Sequence, residues 1–380
     1  MDSTHAQLLP YPDSKNHYEI LDGLRGVAAI MVVIFHFFEP LSTSHLDQIV
    51  NHGYLAVDFF FVLSGFVIGY AYDDRWGKMT LKGFFKRRLI RLHPMIIMGM
   101  IIGAIGFYFG TSELWPSIGQ TPVWKMLLVM LVGFTLLPVP LSMDIRGWGE
   151  MHPLNGPAWS LFFEYLANML YALFIRKFSN KALAVLVFIA GCALIHLAVT
   201  SPNGDVIGGW SVEPSQLRIG FTRLMYPFFA GLLLSRMGKL AHVKHAFLLC
   251  SLLIVLILSI PRIGGSGHLW MNGLYDSLCI LFLFPLIVYL GASGEVKGKY
   301  ASKINKFLGD ISYPIYIIHY PLIYIYTAWV ADNKIPLREA LPVGLLVLLS
   351  SIAIAYACLK LYDRPVREWL TRRFLTSVIK

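Results

Sequence analysis

The sequence predicts an all-α polytopic membrane protein, a helical bundle with about ten transmembrane helices and both termini in the cytoplasm. The composition supports this class, because the 380 residues are 56% hydrophobic and only 14% charged, whereas a soluble domain carries about 25% charged residues. The mean hydropathy is +0.62. Apolar segments long enough to cross a bilayer recur along the whole chain, and short basic connections separate many of them.

The apolar segments give eleven candidate spans. In chain order they are 20–38, 53–72, 93–110, 124–139, 157–176, 182–200, 219–235, 246–260, 271–291, 312–331 and 341–361. Loops rich in lysine and arginine mark the cytoplasmic side. From residue 176 onward, every second loop between candidate spans is basic, as alternation across the membrane requires. The basic loops 73–91 and 176–181 should lie on the same side of the membrane, so an even number of spans must separate them. Three candidate spans lie between them. We therefore expect one of 93–110, 124–139 and 157–176 not to span fully, which leaves ten spans.

We divide the chain into a polar N-terminal leader over 1–18, a membrane domain over 19–365 and a basic cytoplasmic tail over 366–380. Within the membrane domain, the proline-rich stretch 138–158 is expected to be irregular or re-entrant. Non-helical backbone at membrane depth is tolerated only where it is buried in protein or lines a cavity. The formal charge of +10 lies largely in the connections, which favours membrane orientation over nucleic-acid binding. The four cysteines fall in apolar segments and show no disulfide or metal-ligand spacing.

The first apolar segment contains an arginine and a histidine, Arg25 and His36. An arginine at the centre of a membrane helix costs about 2.5–3.5 kcal/mol on insertion scales, so such residues usually have a function. Eleven residues correspond to about 1100°, which places both side chains on one helix face, about 16 Å apart. We therefore expect a polar stripe from one membrane edge to mid-membrane. Asp22 lies three residues before Arg25 and can pair with it.

Four further polar clusters lie in or beside apolar segments. They are Asp58 with Ser64; Arg88 with Arg91; Trp159, Ser160 and Glu164; and Ser312, Tyr313 and His319. Isolated hydroxyls in membrane helices most often form hydrogen bonds between helices, and an arginine pair at a helix entrance can serve orientation alone. A carboxylate, a histidine and an arginine together inside lipid instead need a shared polar cavity.

The chemistry of these residue types favours group transfer from a phosphorylated donor. Histidine titrates near neutral pH and is the usual general base for a hydroxyl. Arginines at a cytoplasmic entrance suit phosphates, through bidentate charge-assisted hydrogen bonds. Coenzyme A fits this layout, with its phosphates at Arg88 and Arg91 and its pantetheine arm extending inward. We expect acyl-CoA as a co-substrate and no bound cofactor or metal.

Five segments in the right order resemble the integral-membrane acyltransferase family 3, the membrane O-acyltransferases of bacterial surface sugars. They are Leu21-Asp-Gly-Leu-Arg25-Gly with ten residues before His36; Gly53-Tyr-Leu-Ala-Val-Asp58-Phe-Phe-Phe-Val-Leu-Ser64-Gly65-Phe66; Arg88-Leu-Ile-Arg91-Leu-His-Pro94; Trp159-Ser160-Leu-Phe-Phe-Glu164; and Ile311-Ser312-Tyr313-Pro314-Ile-Tyr-Ile-Ile-His319. The resemblance covers about residues 18–365.

The resemblance implies acyl transfer, usually of acetyl, from cytoplasmic acyl-CoA to a hydroxyl of a cell-surface or lipid-linked carbohydrate at the cytoplasmic membrane. It also implies essential roles for Arg25 and His36, and donor binding by Arg88 and Arg91. We place Asp22 in the donor site because it can hold Arg25, which would position a donor phosphate or stabilise the developing oxyanion. A catalytic role for Glu164 is inferred from its depth. The remaining cavity candidates are Asp58, Ser64, Trp159, Ser160, Ser312, Tyr313 and His319.

Two other classes of protein stay open at this point. A multi-pass transporter could use the polar stripe as a proton or substrate path, although the sequence lacks the internal repeats common in such proteins. A sensory or assembly protein could bind lipid through its basic connections, which leaves Arg25, His36 and Glu164 unexplained. Direct acyl transfer and a covalent acyl-histidine route are both compatible with these residues.

Overall fold

A computed structural model describes residues 17–238 and 241–375, and within this part of the chain the regular structure is helical. The α-helices are α1 (Glu19–Phe38), α2 (Ala56–Tyr72), α3 (Leu81–Tyr108), α4 (Pro116–Gln120), α5 (Val123–Phe134), α6 (Ala158–Leu173), α7 (Asn180–Thr200), α8 (Pro214–Met237), α9 (Ala246–Ser259), α10 (Leu269–Leu278), α11 (Phe284–Ala292), α12 (Lys299–Asn333), α13 (Leu337–Cys358) and α14 (Arg364–Phe374). Single π-helical turns join α10 to α11 and α13 to α14. Nearly all of the predicted leader, residues 1–16, and the end of the predicted tail lie outside the described residues.

Seven helices or joined helices in the described residues are long and apolar enough to cross a membrane. They are Glu19–Leu41, Gly53–Arg75, Leu81–Tyr108, Asn180–Thr200, Pro214–Met237, Leu269–Ala292 and Leu337–Phe374. The prediction of an all-α, multi-pass membrane protein is confirmed. The count of ten and the cytoplasmic placement of both termini stay predictions. Helix α5 has 12 residues, or about 18 Å, which is short of a bilayer core of about 30 Å.

Close backbone contacts fix the helix pairs that build the site. Helix α1 packs along α12, and α2 packs along α8. A Cβ atom added at Gly26 of α1 would lie 2.5 Å from the carbonyl oxygen of Leu308, and one at Gly65 of α2 would lie 1.8 Å from that of Phe228. Small residues at such positions let membrane helices approach closely. These contacts bring α1 beside α12, and α2 beside α8, along the faces that carry polar side chains.

The segment 135–157 between α5 and α6 contains a single 3₁₀ turn, Leu141–Met143, and no α-helix. Its backbone is folded into the protein, because Asp144 accepts hydrogen bonds from three backbone N–H groups of Arg146, Gly147 and Gly149. Arg146 is 2% exposed and donates from Nε to the carbonyl oxygen of Pro153 at 2.9 Å. The expected irregular segment is therefore present, and its Asp144 and Arg146 side chains bond to its own backbone within the protein.

Candidate active site

The polar residues of α1 divide into two groups near its two ends. We use "arginine cluster" for Asp22, Arg25, Arg88, Arg91 and Glu164, and "histidine cavity" for the cavity that His36 lines. The sequence places His36 at mid-membrane, whereas the structure places it in the last turn of α1, near the end of the span Glu19–Leu41. The expected polar stripe therefore extends over most of the helix, with Arg25 toward one end and His36 toward the other.

In the arginine cluster, Arg25 Nη1 donates to Asp22 Oδ1 at 2.9 Å, as the three-residue spacing predicts. Arg88 Nη2 of α3 donates to Glu164 Oε1 of α6 at 2.7 Å. Ser64 Oγ of α2 donates to the same carboxylate oxygen at 2.9 Å. The structure therefore brings Ser64, Arg88 and Glu164 together from three helices and places Glu164 beside Arg88.

Arg91 gives the arginine cluster an unneutralised positive charge. Its side chain is exposed, it interacts electrostatically with Arg25, Arg88 and Asp22, and no ion pair joins it to a described residue. Three guanidinium groups thus face two carboxylates. Arg88 Nε is also buried without a hydrogen-bond partner among the described residues. An unsatisfied buried donor beside an excess of positive charge is the arrangement expected of an anion site.

The histidine cavity has a volume of about 370 Å³, within the range of small-molecule sites. His36 Nδ1 lies 2.6 Å from Glu39 Oε2 in its wall. A carboxylate at Nδ1 favours the tautomer that carries its proton there, which leaves a lone pair on Nε2. This His36–Glu39 dyad has the form of a general base held by a carboxylate. Glu39 is not among the residues predicted from the sequence, although a carboxylate three residues after His36 can face the same side of a helix.

His319 lies beside His36, because α1 and α12 are neighbours. The two imidazole rings stack with centroids 5.6 Å apart, and Tyr320 meets His36 edge-on at 4.7 Å. His319 Nδ1 donates to the carbonyl oxygen of Ile315 at 3.0 Å, while its Nε2 is buried without a partner among the described residues. The structure thus brings His319 of the last predicted cluster against His36 of the first, although His319 itself is not part of the cavity lining.

Asp58 is fully buried and forms a bidentate pair with Arg223 of α8, at 2.6 Å and 3.2 Å. Arg223 lines the histidine cavity and also donates to the carbonyl oxygens of Tyr54 and Gly208. Asp58 therefore acts on the cavity through Arg223. Arg223 was missed in the sequence, although an arginine inside the predicted span 219–235 carries the same signal as Arg25.

The remaining cavity candidates divide into two groups. Trp159 lines the histidine cavity, and Ser160 shares a 2.7 Å hydrogen bond with the hydroxyl of Tyr316, which also lines it. Ser312 instead donates to the carbonyl oxygen of Gly309 in its own helix. Tyr313 donates to the carbonyl oxygen of Leu92 on α3. The structure does not bring the last two into the cavity wall, and both serve packing.

Glu150, from the irregular segment, is a further carboxyl group in the wall of the histidine cavity. Burial raises the pKa of Glu150 to about 7, although nearby Arg146 and the hydroxyl of Tyr324 oppose the shift. That hydroxyl lies 2.8 Å and 2.7 Å from the two carboxyl oxygens. Glu150 is not among the residues predicted from the sequence, because it lies in a loop without helical periodicity.

The dyad predicts a measurable effect of the Glu39 charge. Glu39→Gln keeps an acceptor oxygen near His36 Nδ1 but removes the negative charge that stabilises a protonated imidazole. We expect the turnover number for acyl transfer to fall about 10- to 100-fold, with the KM for the acyl donor unchanged. Steady-state kinetics with Glu113→Gln, an exposed carboxylate outside the cavity lining, gives the matched control. An equal loss in both variants would contradict a role for the dyad.

Comparison with known proteins adds independent information. A family model described as an acyltransferase domain matches residues 18–360. "Protein 2 in picA locus" of Rhizobium radiobacter is 31% identical over 195 residues, 47% of this chain and 93% of that protein. O-acetyltransferase OatA of Staphylococcus aureus (strain NCTC 8325 / PS 47) is 23% identical over 381 residues, 97% of this chain and 60% of OatA. The chain therefore spans less than two thirds of OatA. No solved structure matches the chain significantly.

Proposed function

We propose that this chain, which belongs to the acyltransferase-domain family, transfers an acetyl group from acyl-CoA to a hydroxyl of a cell-surface or lipid-linked carbohydrate. The family membership confirms the resemblance drawn from the five motifs, and with it the prediction of an acyltransferase. The long apolar helices confirm a multi-pass membrane protein. Acyl-CoA as donor, the carbohydrate acceptor and residence in the cytoplasmic membrane are parts of the proposal.

The observation that carries the proposal is the position of the His36–Glu39 dyad. The dyad opens on a cavity at one end of α1, while three arginines gather toward the other end of the same helix. A general base and an anion site on opposite sides of a membrane suit a donor that enters from one side and an acceptor that enters from the other. A proton or solute path would not need the unneutralised Arg91.

The arginine cluster suits the phosphates of coenzyme A. Arg91 and the unpartnered Nε of Arg88 supply donors, and Glu164 and Ser64 hold the Arg88 side chain in place. We therefore assign Glu164 a positioning role. The basic connection 73–91 that precedes this cluster favours the cytoplasmic side, where acyl-CoA is made.

Arg25 fits donor binding better than stabilisation of a reacting oxyanion. It lies eleven residues from His36 in one continuous helix, about 16 Å away along the axis. That separation is too large for a hydrogen bond to an atom reacting at His36. Arg25, held by Asp22, would instead contact a donor phosphate while the pantetheine arm extends along the helix.

The reaction then proceeds at His36 Nε2. The acceptor hydroxyl gives its proton to Nε2 as its oxygen bonds to the thioester carbonyl carbon. The tetrahedral intermediate collapses, the C–S bond breaks, and the coenzyme A thiolate takes the proton from the imidazolium. Glu39 keeps the ring oriented and balances its transient charge. A covalent route would use the same lone pair, with Nε2 attacking the thioester first.

Arg91→Ala tests the donor site. Loss of a charge-assisted hydrogen bond to phosphate costs about 1.5–3 kcal/mol, so the KM for acetyl-CoA should rise about 10- to 100-fold with little change in turnover number. Lys82→Ala, which removes an exposed charge from the first turn of the same helix, controls for long-range electrostatics. An equal rise of the KM for acetyl-CoA in both variants would contradict the assignment of Arg91 to the donor site.

The proposal as a whole is tested by release of coenzyme A thiol from acetyl-CoA by the purified protein. We expect release that depends on a glycan extract of the source cells, with acetyl recovered on the glycan by mass analysis. Absence of extract-dependent thiol with acetyl-, succinyl- and longer acyl-CoA, together with absence of donor binding, would favour the transporter alternative.

A further inference from the structure

We propose that the histidine cavity takes the acceptor as an uncharged sugar ring stacked on its tryptophans, and that Glu150 determines this specificity by binding a sugar hydroxyl and excluding anionic sugars. This inference rests on the proposed function, because it assigns the acceptor to the cavity that the dyad faces. It adds a charge class for the acceptor and a residue that selects it.

The lining of the histidine cavity is aromatic on several sides. Trp148, Trp159 and Trp210 line it, together with Tyr316 and Tyr320. Trp148 is 45% exposed and is held edge-on against Trp115, with ring centroids 5.2 Å apart. Tryptophan offers a large, rigid apolar face with a polar edge, which suits the C–H face of a pyranose and its equatorial hydroxyls. The cavity is therefore built to stack a ring.

The charges of the lining disfavour an anion. The lining contains two carboxyl groups, Glu39 and Glu150, and, among the described residues, a single arginine and no lysine. That arginine, Arg223, is neutralised by Asp58, and each of its three guanidinium nitrogens already donates to a protein acceptor. His36 is held by Glu39, and His45 is the second imidazole of the lining. A carboxylate or phosphate on the acceptor would meet like charge without a free guanidinium partner.

Glu150 is held by two neighbouring side chains. Tyr324 donates to its carboxyl group, and Arg146 Nε lies 3.9 Å from Oε2. Arg146 is itself held over the ring of Tyr324, with the guanidinium carbon 3.4 Å from the ring centroid. Tyr324 occupies only part of the hydrogen-bonding capacity of a carboxyl group. Because Glu150 lines the cavity, the remaining capacity can accept from, or when protonated donate to, a sugar hydroxyl.

The test uses acetyl-labelled acetyl-CoA and the glycan extract of the source cells, separated by anion exchange into a neutral and an anionic fraction. The assay is run at about pH 8, where a carboxyl group with a pKa near 7 is mostly ionised. For the wild type we expect about tenfold or more label in the neutral fraction at equal sugar content, because like charges placed in one site repel each other. Glu150→Gln, which keeps an acceptor for Tyr324, should shift this ratio several-fold toward the anionic fraction. Glu113→Gln should leave the ratio unchanged.

Trp148 provides a second readout, because its exposed side chain can be replaced without opening the core. Trp148→Ala should raise the KM for the neutral fraction several-fold, whereas Trp148→Phe should retain most of the wild-type value, since phenylalanine still stacks. The KM for acetyl-CoA should not move in either variant. Equal KM values for the neutral fraction in wild type and Trp148→Ala would contradict stacking of the sugar on Trp148.

Failure of this inference can be separated from failure of the proposed function. Wild-type label that enters the anionic fraction preferentially, or a ratio that Glu150→Gln leaves unchanged, would overturn the specificity role while acyl transfer stands. A lack of label in both fractions, together with no extract-dependent thiol release, would overturn both.

Discussion

Replacing His36 by alanine should lower the turnover number for acyl transfer by about 10²- to 10⁴-fold, the usual contribution of a positioned general base. His36 Nε2 is the group we propose to accept the hydroxyl proton, and Glu39 holds the opposite ring nitrogen at 2.6 Å. The donor site lies near the other end of α1, so binding of acetyl-CoA should persist. The rate of coenzyme A thiol release, with donor binding measured separately, checks both statements.

The control for His36 is a histidine outside the cavity lining. His268→Ala removes an exposed imidazole at the start of α10 and should keep wild-type turnover. The midpoint of thermal unfolding in detergent shows whether His36→Ala remains folded. A folded His36→Ala variant with wild-type turnover would contradict the base assignment, whether transfer is direct or passes through an acyl-histidine.

Asp58→Ala should be the most destabilising single substitution in the site. It leaves Arg223 buried and without its counter-charge, and breaking a buried ion pair costs about 3–5 kcal/mol. Both partners are nearly inaccessible, with Asp58 0% and Arg223 2% exposed. We expect a markedly lower unfolding midpoint and a low yield of folded protein. Thermal or denaturant unfolding in detergent measures the effect.

A second variant separates lost charge from lost packing. Asp58→Leu combined with Arg223→Met replaces the pair by apolar side chains and should recover much of the stability of Asp58→Ala, because apolar replacement of a whole buried pair is often neutral or stabilising. If Asp58→Ala unfolds at the wild-type midpoint, the pair is not a structural element of the cavity wall.

Local spacing in the sequence predicted one contact within α1. Asp22 and Arg25 are three residues apart and pair as expected. The contacts between helices could not be paired in advance, because a single sequence does not say which helix lies beside which. Glu164 therefore appeared as a catalytic candidate from its depth alone, whereas packing of α3 against α6 places it with Arg88.

The residues that sequence reasoning missed were hidden for different physical reasons. Glu39 lies just beyond the predicted span 20–38, although it is within reach of His36. Arg223 was overlooked inside a span whose other residues are apolar. Glu150 belongs to an irregular segment, where neither helical nor strand periodicity indicates which side chains face inward. Their positions depend on tertiary packing.

The central claim is that acyl transfer links the arginine cluster on one side of the membrane to the histidine cavity on the other. The most direct test places glycan extract inside sealed vesicles containing the protein and supplies labelled acetyl-CoA, which does not cross the bilayer, outside. We predict label on the enclosed glycan with wild type and an initial labelling rate at least about 100-fold lower with His36→Ala. Label only when acetyl-CoA and glycan share one side of the membrane would contradict the claim.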